Sequence, residues 1–316
     1  MDVAPIAYLV FNRPDLVRQT FARIREARPK QLFIISDSAK PEDKHNAAQV
    51  EAVRQTIEEA IDWPCDLIKD YAPQHMGCGK RISSGLNAVF EQAEEAIILE
   101  DDCLANTSFF QYATDLLEFY RYNEHVMHIG GSRWPCKAHH FKEYSYTFST
   151  YALVWGWATW KRAWKHFDWD MQDWTTWQNK RELYKRIHYR SEKKRRQGDW
   201  ERLYTKEDNV WAAAWIYAVM KQQGLCILPA QNMIKNIGLG PQGTHTKIEH
   251  HPLNLSDSKM HFPLKHPRRL YWNARCDRIF EKLNRMHYGA FDPMRLQHWE
   301  ALARRLVRKY IKRIED

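Results

Sequence analysis

Apolar blocks alternate with blocks of mixed polarity over the first hundred residues, and this pattern predicts strands and helices in turn. Short apolar runs predict four strands, at residues 5–11, 31–37, 66–71 and 96–99. The stretches between them, such as residues 50–61, repeat apolar positions at helical spacing. Runs without alternation are typical of strands that are buried on both faces of a parallel sheet. The sequence therefore predicts an α/β fold with a mostly parallel central sheet flanked by helices.

The pattern loosens beyond residue 105, where strands and helices no longer alternate regularly. Two helices are predicted here, at residues 109–122 and 208–223. Three further strands are predicted at residues 126–132, 144–151 and 225–229. The C-terminal region is predicted to be helical and basic, and no internal repeat is present.

Charge is spread unevenly along the 316 residues, whose formal net charge is +9. Residues 180–196 carry nine Lys or Arg against two Glu, and residues 268–316 carry thirteen against six acids. The rest of the chain is therefore acidic, with a net charge of −5. No pattern of an RNA-recognition motif, zinc finger or helix-turn-helix accompanies the basic segments, so no nucleic-acid partner is predicted.

Several classes of protein are excluded by composition and spacing. No apolar run approaches the ~18 residues that a membrane span requires. The N-terminus lacks the basic region of a secretory signal, so none is predicted. The six cysteines lie at least 13 residues apart, which excludes a CxxC motif and is typical of reduced cytoplasmic thiols.

Polar side chains follow each of the four predicted strands. They are Asn12 and Arg13, Asp37 and Ser38, His75 with Lys80 and Arg81, and finally Glu100, Asp101 and Asp102. Ligands of open parallel sheets bind beyond the carboxyl ends of the strands. These exits predict a nucleotide pocket, and the alternative is that they are simply polar loops.

The three consecutive acids Glu100, Asp101 and Asp102 are the most informative group. They repel one another unless a cation or a basic partner neutralises them. In an extended segment Glu100 and Asp102 would face one side and Asp101 the other, so one face could hold Mg²⁺ or Mn²⁺. The alternative is a solvated acidic turn.

The segment GCGK at residues 77–80 does not form a phosphate-binding loop. A Walker loop would need glycine at Gln74, and a dinucleotide fingerprint would need glycine at Ile82. The glycines still favour a tight turn before a helix.

The chain carries, in order, the motifs NRPD, SD, GCGK, IILEDDCL, WGWATW, NIGLG and THT. In this order they resemble bacterial nucleotide-diphospho-sugar transferases with the Rossmann-like GT-A glycosyltransferase fold, and more distantly N-acetylglucosaminyltransferase I. The resemblance implies one domain at residues 1–250, with a nucleotide-binding half at 1–104 and an acceptor and catalytic half at 105–250. Residues 251–316 would form a basic helical extension.

The resemblance also implies a role for individual residues toward a UDP-sugar donor. Arg13 and Asp37 would contact uracil and ribose, Asp101 the ribose, and Lys80 or Arg81 the base or diphosphate. The cofactor-binding set is Arg13, Asp37, Lys80, Arg81, Glu100 and Asp101. Asp102 and His245 would contact Mn²⁺ or Mg²⁺, although a lone histidine is more often structural.

An inverting transferase also needs a carboxylate that accepts the proton of the acceptor hydroxyl. Asp208, in preference to Glu207, is expected to do so from the start of the 208–223 helix, and ordinary helix capping is the alternative. Many relatives have an acid where this chain has Ala212. Its loss would leave either Asp208 as the base or a module without turnover.

Aromatic faces can stack on sugars, and the tryptophan-rich region offers candidates. Trp155 and Trp157 are the predicted sugar platforms, whereas Trp160 and Trp164 are predicted to be core residues. The basic amphipathic pattern at residues 296–314 fits either an anionic membrane surface or packing on the body.

Together these features predict a metal-dependent glycosyltransferase that acts on a glycan or lipid-linked glycan acceptor, such as a surface polysaccharide or lipopolysaccharide. Its expected location is the cytoplasm, as a peripheral protein on the inner face of the membrane. The alternatives are a sugar nucleotidyltransferase and a degenerate carbohydrate- or nucleotide-binding module.

Overall fold

The computed structural model describes residues 2–239 and 251–288. Within them, ten strands form one eight-stranded sheet and one two-stranded sheet. The strands are β1 (Ile6–Val10), β2 (Gln31–Ser36), β3 (Asp66–Tyr71), β4 (Glu95–Glu100), β5 (Cys103–Ala105), β6 (Val126–Gly130), β7 (Tyr146–Ser149), β8 (Trp157–Trp160), β9 (Leu225–Pro229) and β10 (Ile234–Asn236).

Nine α-helices connect or cover these strands in the described part of the chain. They are α1 (Pro14–Ala27), α2 (Lys44–Ala60), α3 (Cys78–Gln92), α4 (Thr107–Phe119), α5 (Lys161–Trp164), α6 (Trp174–Trp177), α7 (Arg190–Tyr204), α8 (Trp211–Lys221) and α9 (Ala274–Tyr288). None of them is both long and apolar enough to cross a bilayer.

The large sheet has the strand order β3-β2-β1-β4-β8-β6-β9-β7. Strands β1 to β4 are parallel to one another, and six of the eight strands run in the same direction. The predicted α/β class, with a mostly parallel central sheet flanked by helices, is therefore confirmed. Strands β3 and β9 begin and end where the apolar pattern predicts.

Two apolar cores lie on opposite faces of the sheet, which explains the unbroken apolar runs in the sequence. Along β1, Ala7 and Leu9 enter one core, whereas Ile6, Tyr8 and Val10 enter the other. Every residue of this strand is buried. Both faces must be apolar because helices cover both of them.

Strand β8 lies in the tryptophan-rich region, for which neither a strand nor a helix is predicted from the sequence. The segment is extended and pairs antiparallel with β4 and β6. Trp157 enters one core, while Ala158 and Trp160 enter the other. The side chains therefore alternate because this segment separates the two cores. Trp160 and Trp164 are buried, as predicted.

Helix α9 packs on the body of the protein through a buried carboxylate. Asp277 accepts hydrogen bonds from Ser149 Oγ at 2.6 Å, the Thr150 N–H at 2.9 Å and Trp272 Nε1 at 2.7 Å. This part of the predicted C-terminal extension thus contacts edge strand β7. Residues 296–314, for which membrane binding or packing is predicted, lie outside the described residues.

Candidate functional site

A cavity of about 490 Å³ opens at the carboxyl ends of β1, β2 and β4. Its lining contains seven of the residues to which a binding, metal or sugar-stacking role was assigned from the sequence. They are Arg13, Asp37, Arg81, Glu100, Asp101, Asp102 and Trp155. Parallel strands bring these residues together because their carboxyl ends share one edge of the sheet.

The acidic triplet is a turn in the structure and not an extended segment. Strand β4 ends at Glu100, and Asp101 and Asp102 form the turn that follows. Both aspartates contact Arg13: its Nη2 donates to Asp101 Oδ1, and its Nη1 donates to Asp102 Oδ2 at 3.2 Å. The predicted alternation, with Asp101 facing away from Asp102, is therefore wrong. The turn exists because Asp101 is also held by the Phe11 N–H, at 3.3 Å from Oδ2.

A glycine segment lies over the acidic turn and closes one side of the cavity. Strand β10 pairs with β5, and the Ile237 N–H donates to the Asp102 carbonyl at 2.8 Å. A Cβ atom on Gly238 would lie 2.6 Å from Asp102 Cβ and 2.9 Å from Arg13 Nη1. Only glycine fits this approach without movement, which gives the NIGLG motif a physical reason.

Asp37 organises the loop after β3. Its Oδ1 accepts from the main-chain N–H groups of Ser38 at 2.9 Å and Met76 at 3.0 Å, and its Oδ2 accepts from Gly77 at 2.9 Å. His75 Nδ1 lies 3.3 Å from the same carboxylate. Asp37 thus shapes this wall of the cavity.

The two basic residues at the start of α3 have different environments. Arg81 is buried, and its guanidinium donates to Ser36 O at 3.2 Å and to Asp70 O at 2.6 Å. It therefore ties β2 and β3 to α3 at the edge of the cavity. Lys80 is exposed and does not belong to the lining of the cavity. Its contact with the base or diphosphate stays a prediction.

Trp155 and Trp157, the two predicted sugar platforms, also have different environments. Trp155 is half-buried, lines the cavity and packs edge-on against His251 at 5.3 Å between ring centroids. Trp157 is completely buried, with one stacked contact to His128 at 5.1 Å and another to Trp211 at 5.9 Å. The prediction of Trp157 as a sugar platform is wrong because no ring face is left for a sugar.

Neither predicted catalytic acid is part of the lining. Glu207 is exposed and accepts from Thr205 Oγ1 at 3.1 Å. Asp208 is 34% exposed, and its Oδ1 accepts from the N–H of Asn209, the first lining residue of the opposite wall. Asp208 therefore stands at the rim, one residue from the cavity. Ala212 lines the cavity itself.

Acidic groups outnumber basic ones in the lining, with four carboxylates against two guanidinium groups. Burial, followed by the charges of Asp102 and Asp101, raises the pKa of Glu100 to about 8. No hydrogen bond from the described part of the chain reaches the Glu100 carboxylate. Near neutral pH the Glu100 carboxyl therefore holds a proton unless a cation binds close to it. The cavity is still short of positive charge, because its three other carboxylates share two guanidinium groups, and that of Arg81 also pairs with Asp70 Oδ1 at 2.7 Å.

A divalent cation fits this chemistry only in combination with a ligand. Residues 2–239 and 251–288 contain no cluster of three or more His, Cys, Asp or Glu side chains that could hold a metal. Asp102 Oδ1 contacts the weakly polar Cys103 thiol at 3.5 Å and could coordinate one position. Mg²⁺ commonly binds through one or two carboxylates and substrate phosphates. His245, the other predicted ligand, lies outside the described residues.

Several lining residues were given no role from the sequence, among them Phe11, Cys78 and Asn209. Burial raises the pKa of the Cys78 thiol to about 12, which excludes it as a nucleophile near neutral pH. His75, named only as a polar residue that follows a strand, also lines the cavity. Asn209, just before α8, and Trp211, its first residue, reach the cavity through a tertiary contact that no local sequence pattern predicts.

Comparisons with known proteins leave the family open. No protein-family model matches the chain, and no curated protein matches it. Among solved structures, it is similar to UDP-glucose pyrophosphorylase complexed with UDP-glucose, at 14% identity and a TM-score of 0.27. That match covers 48% of this chain and 64% of the other chain. So loose a superposition carries no argument, and the α/β class follows from the strands and helices themselves.

Proposed function

We propose that this protein is a metal-dependent glycosyltransferase that moves a sugar from a UDP-sugar to a glycan or lipid-linked glycan acceptor. The observation that carries the proposal is the excess of acid at the strand exits, where Glu100 and Asp102 Oδ1 are left without charged partners. A nucleotide diphosphate would be repelled there unless it arrives with a divalent cation. Mn²⁺ or Mg²⁺, when bound, would neutralise the charge that develops on the departing diphosphate.

Residues that follow β1, β2 and β3 would bind the donor. Arg13 fixes the orientation of both aspartates, and Asp37 fixes the 75–77 turn through main-chain donors. Phe11 and His75, whose rings are 6.2 Å apart, form an apolar and weakly polar wall suited to a flat base. Asp102 would hold the cation, and Glu100 would face the sugar or the diphosphate.

The acceptor is proposed to enter from the side of α8. Trp155 offers a half-buried ring for stacking on a sugar, and Asp208 stands at the rim. Asp208 would accept the proton of the attacking hydroxyl, which fits an inverting reaction. A modest rotation of its side chain is required, because Oδ1 now accepts from the Asn209 N–H at 2.7 Å.

The second candidate is a module that binds nucleotide or carbohydrate without turnover. One observation favours it: the small apolar side chain of Ala212 occupies the lining where an acid would be useful. The two candidates differ in a single measurable property, which is metal-stimulated breakdown of a UDP-sugar.

The test pairs two neighbouring acid variants. UDP release from a panel of UDP-sugars is measured with Mn²⁺, with and without glycan acceptors, for the wild type, Asp208→Asn and Glu207→Gln. The Asn variant should lose about a hundredfold or more in turnover and keep UDP affinity, whereas Glu207→Gln, which changes an exposed side chain, should match the wild type. Equal activity of Asp208→Asn contradicts its role as base. UDP binding without any turnover in the wild type favours the binding module.

A further inference from the structure

The two basic segments of the sequence meet where α7 and α9 pack side by side. The Glu281 carboxylate accepts from the main-chain N–H groups of His188 at 2.9 Å and Tyr189 at 2.8 Å, directly before α7. Asn284 Nδ2 lies 3.4 Å from both oxygens of Glu192 on α7. Helix α9 therefore fixes the N-terminal end of α7 through polar contacts.

The acids of this junction all face inward. Glu192 is 2% exposed, and Asp277 and Glu281, the two acids of α9 up to residue 288, are 0% exposed. Glu192 accepts from Arg196 Nε at 3.0 Å and Arg195 Nη2 at 2.6 Å. No negative charge of α9 is thus left on its outer surface within the described residues.

The bases face outward on both helices. Arg275, Arg278, Lys282 and Arg285 repeat at intervals of three and four residues, which places them along one stripe of α9. All four are exposed. On α7, Arg190 and Lys194 are exposed and lie one turn apart. The resulting surface, called the basic face, consists of Arg190, Lys194, Arg275, Arg278, Lys282 and Arg285.

The two stripes of the basic face join at the helix junction. The Arg285 guanidinium lies over the ring of Tyr189, 5.5 Å from its centroid, and Tyr189 precedes Arg190 in the chain. Among the described residues, no carboxylate forms an ion pair with any of the six bases. Like charges held this closely repel one another, and an anionic surface would relieve that repulsion.

We propose that the basic face docks the protein on an anionic lipid bilayer. Single-sign charge on packed helices suits a layer of phosphate headgroups, to which each nearby Lys or Arg adds about fivefold in partition. Met286, next to Arg285 and 43% exposed, is an apolar side chain able to enter the headgroup boundary. This surface is distinct from the predicted 296–314 segment, and the proposal does not depend on the reaction at the cavity.

A bilayer fits the composition of the basic face better than a nucleic acid does. Proteins that bind single strands stack bases on aromatic rings set among the basic residues. On the described parts of α7 and α9 no aromatic side chain is fully exposed: Trp200 and Phe280 are buried, and Tyr204, the last residue of α7, is half-buried. The half-buried ring of Tyr189, directly before α7, lies under Arg285.

The test measures vesicle binding of the full chain by co-sedimentation. Vesicles of phosphatidylcholine with and without phosphatidylglycerol are compared at about 0.1 M and 0.5 M salt, where screening differs strongly. The triple variant Arg278→Ala, Lys282→Ala, Arg285→Ala is compared with a control of equal charge change, Lys44→Ala, Lys259→Ala, Lys265→Ala. A third variant, Arg304→Ala, Arg305→Ala, Arg308→Ala, tests the segment beyond the described residues. Thermal unfolding verifies that each variant is folded.

The expected result is binding to anionic vesicles that high salt reverses, with about a hundredfold loss in the α9 triple variant and little change in the control. Equal loss in the control would show a diffuse charge effect and overturn the proposal. So would unchanged binding of the α9 variant, including the case in which only the 304–308 variant loses binding. Absence of binding by the wild type overturns it as well, as does tighter binding to single-stranded RNA than to vesicles at the same salt.

Discussion

In the cavity, four carboxylates face two guanidinium groups, and one of them, Glu100, has no partner among the described residues. At the α7–α9 junction the acids are buried more deeply than Glu100 and Asp102, but donors surround them and the bases point outward. The two regions share composition and differ in how charge is neutralised. Burying a charge is costly unless it is paired, so a deficit that the chain leaves open points to a ligand.

This contrast separates structural from functional acids better than residue type does. Glu192 and Glu281 hold helices together, and their contacts lie within the chain. Asp102 and Glu100 line an open cavity. Among the described residues, no charged group contacts Asp102 Oδ1 and no hydrogen bond reaches the Glu100 carboxylate. The net charge of +9 thus combines two basic segments, each of +7, with a remainder of −5 that contains the four acids of the cavity.

The largest expected effect is a loss of stability at the α7–α9 junction, where each buried acid has hydrogen-bond donors around it. Glu192→Ala leaves Arg196, which is only 6% exposed, without its charge partner. Removal of one member of a buried pair typically costs about 3–5 kcal/mol in the free energy of unfolding. The control is Asp199→Ala on the same helix, where half-exposed pairs with Arg195 and Arg202 contribute at most about 1 kcal/mol. Chemical denaturation measures both, and equal losses would contradict the distinction.

The second largest effect is expected on activity, when the Asp102 carboxylate of the cavity is removed. Asp102→Asn removes the carboxylate proposed to coordinate the cation, so Mn²⁺-stimulated release of UDP from a UDP-sugar should fall about a hundredfold or more. Asp66→Asn, an exposed change on β3 outside the lining, is the control. Metal-dependent turnover that survives in Asp102→Asn rules out Asp102 as the ligand.

The third prediction concerns a buried acid that is hydrogen-bonded but not paired with a cation. Burial raises the pKa of Asp277 to about 7, so the folded state holds its proton more tightly than the unfolded chain does. This group therefore stabilises the fold at low pH, and its contribution is lost as pH rises from about 4 to 7, by up to about 1.4 kcal/mol per unit.

Unfolding of wild type, Asp277→Asn and the exposed control Asp170→Asn is compared at several pH values. The wild type and Asp170→Asn should lose stability over this window, whereas Asp277→Asn should have a flatter profile. Parallel profiles for all three proteins would show that Asp277 does not titrate there.

The smallest effects come from glycines that differ in available space. A Cβ atom on Gly79 would lie 2.2 Å from the Trp169 ring and 2.3 Å from the Asn209 carbonyl, so Gly79→Ala must push back the wall of the cavity. We expect a loss of about 1–3 kcal/mol in stability and weaker UDP binding. Gly198→Ala has its nearest contact at 3.4 Å within α7 and should stabilise by up to about 1 kcal/mol. Two variants of equal stability would contradict this difference in packing.

Much of the fold of residues 1–104 could be predicted because its signals are local. Unbroken apolar runs identified β1, β2 and β4, and most of the polar residues that follow strands β1 to β4 line the cavity. The positions that could not be predicted depend on contacts between distant segments. Strand β8 is extended because it separates two cores, which the spacing of its tryptophans does not reveal.

The predicted orientation of the side chains in the acidic turn was wrong because it, too, depends on distant contacts. Alternation along a strand placed Asp101 and Asp102 on opposite sides, but Arg13, almost ninety positions earlier, draws both together. Asp208 likewise lies at the rim and not in the lining, since the loop before α8 presents Asn209 instead. Such outcomes depend on tertiary contacts that periodicity does not encode.

We propose that the cavity binds a nucleotide diphosphate together with a divalent cation. Calorimetric titration of UDP into the full chain, once with Mn²⁺ and once with EDTA, measures this coupling. We expect binding at one site with Mn²⁺ and at least about tenfold weaker binding with EDTA, because the excess acid then repels the diphosphate. No UDP binding in the presence of Mn²⁺, or equal affinity with EDTA, would contradict it.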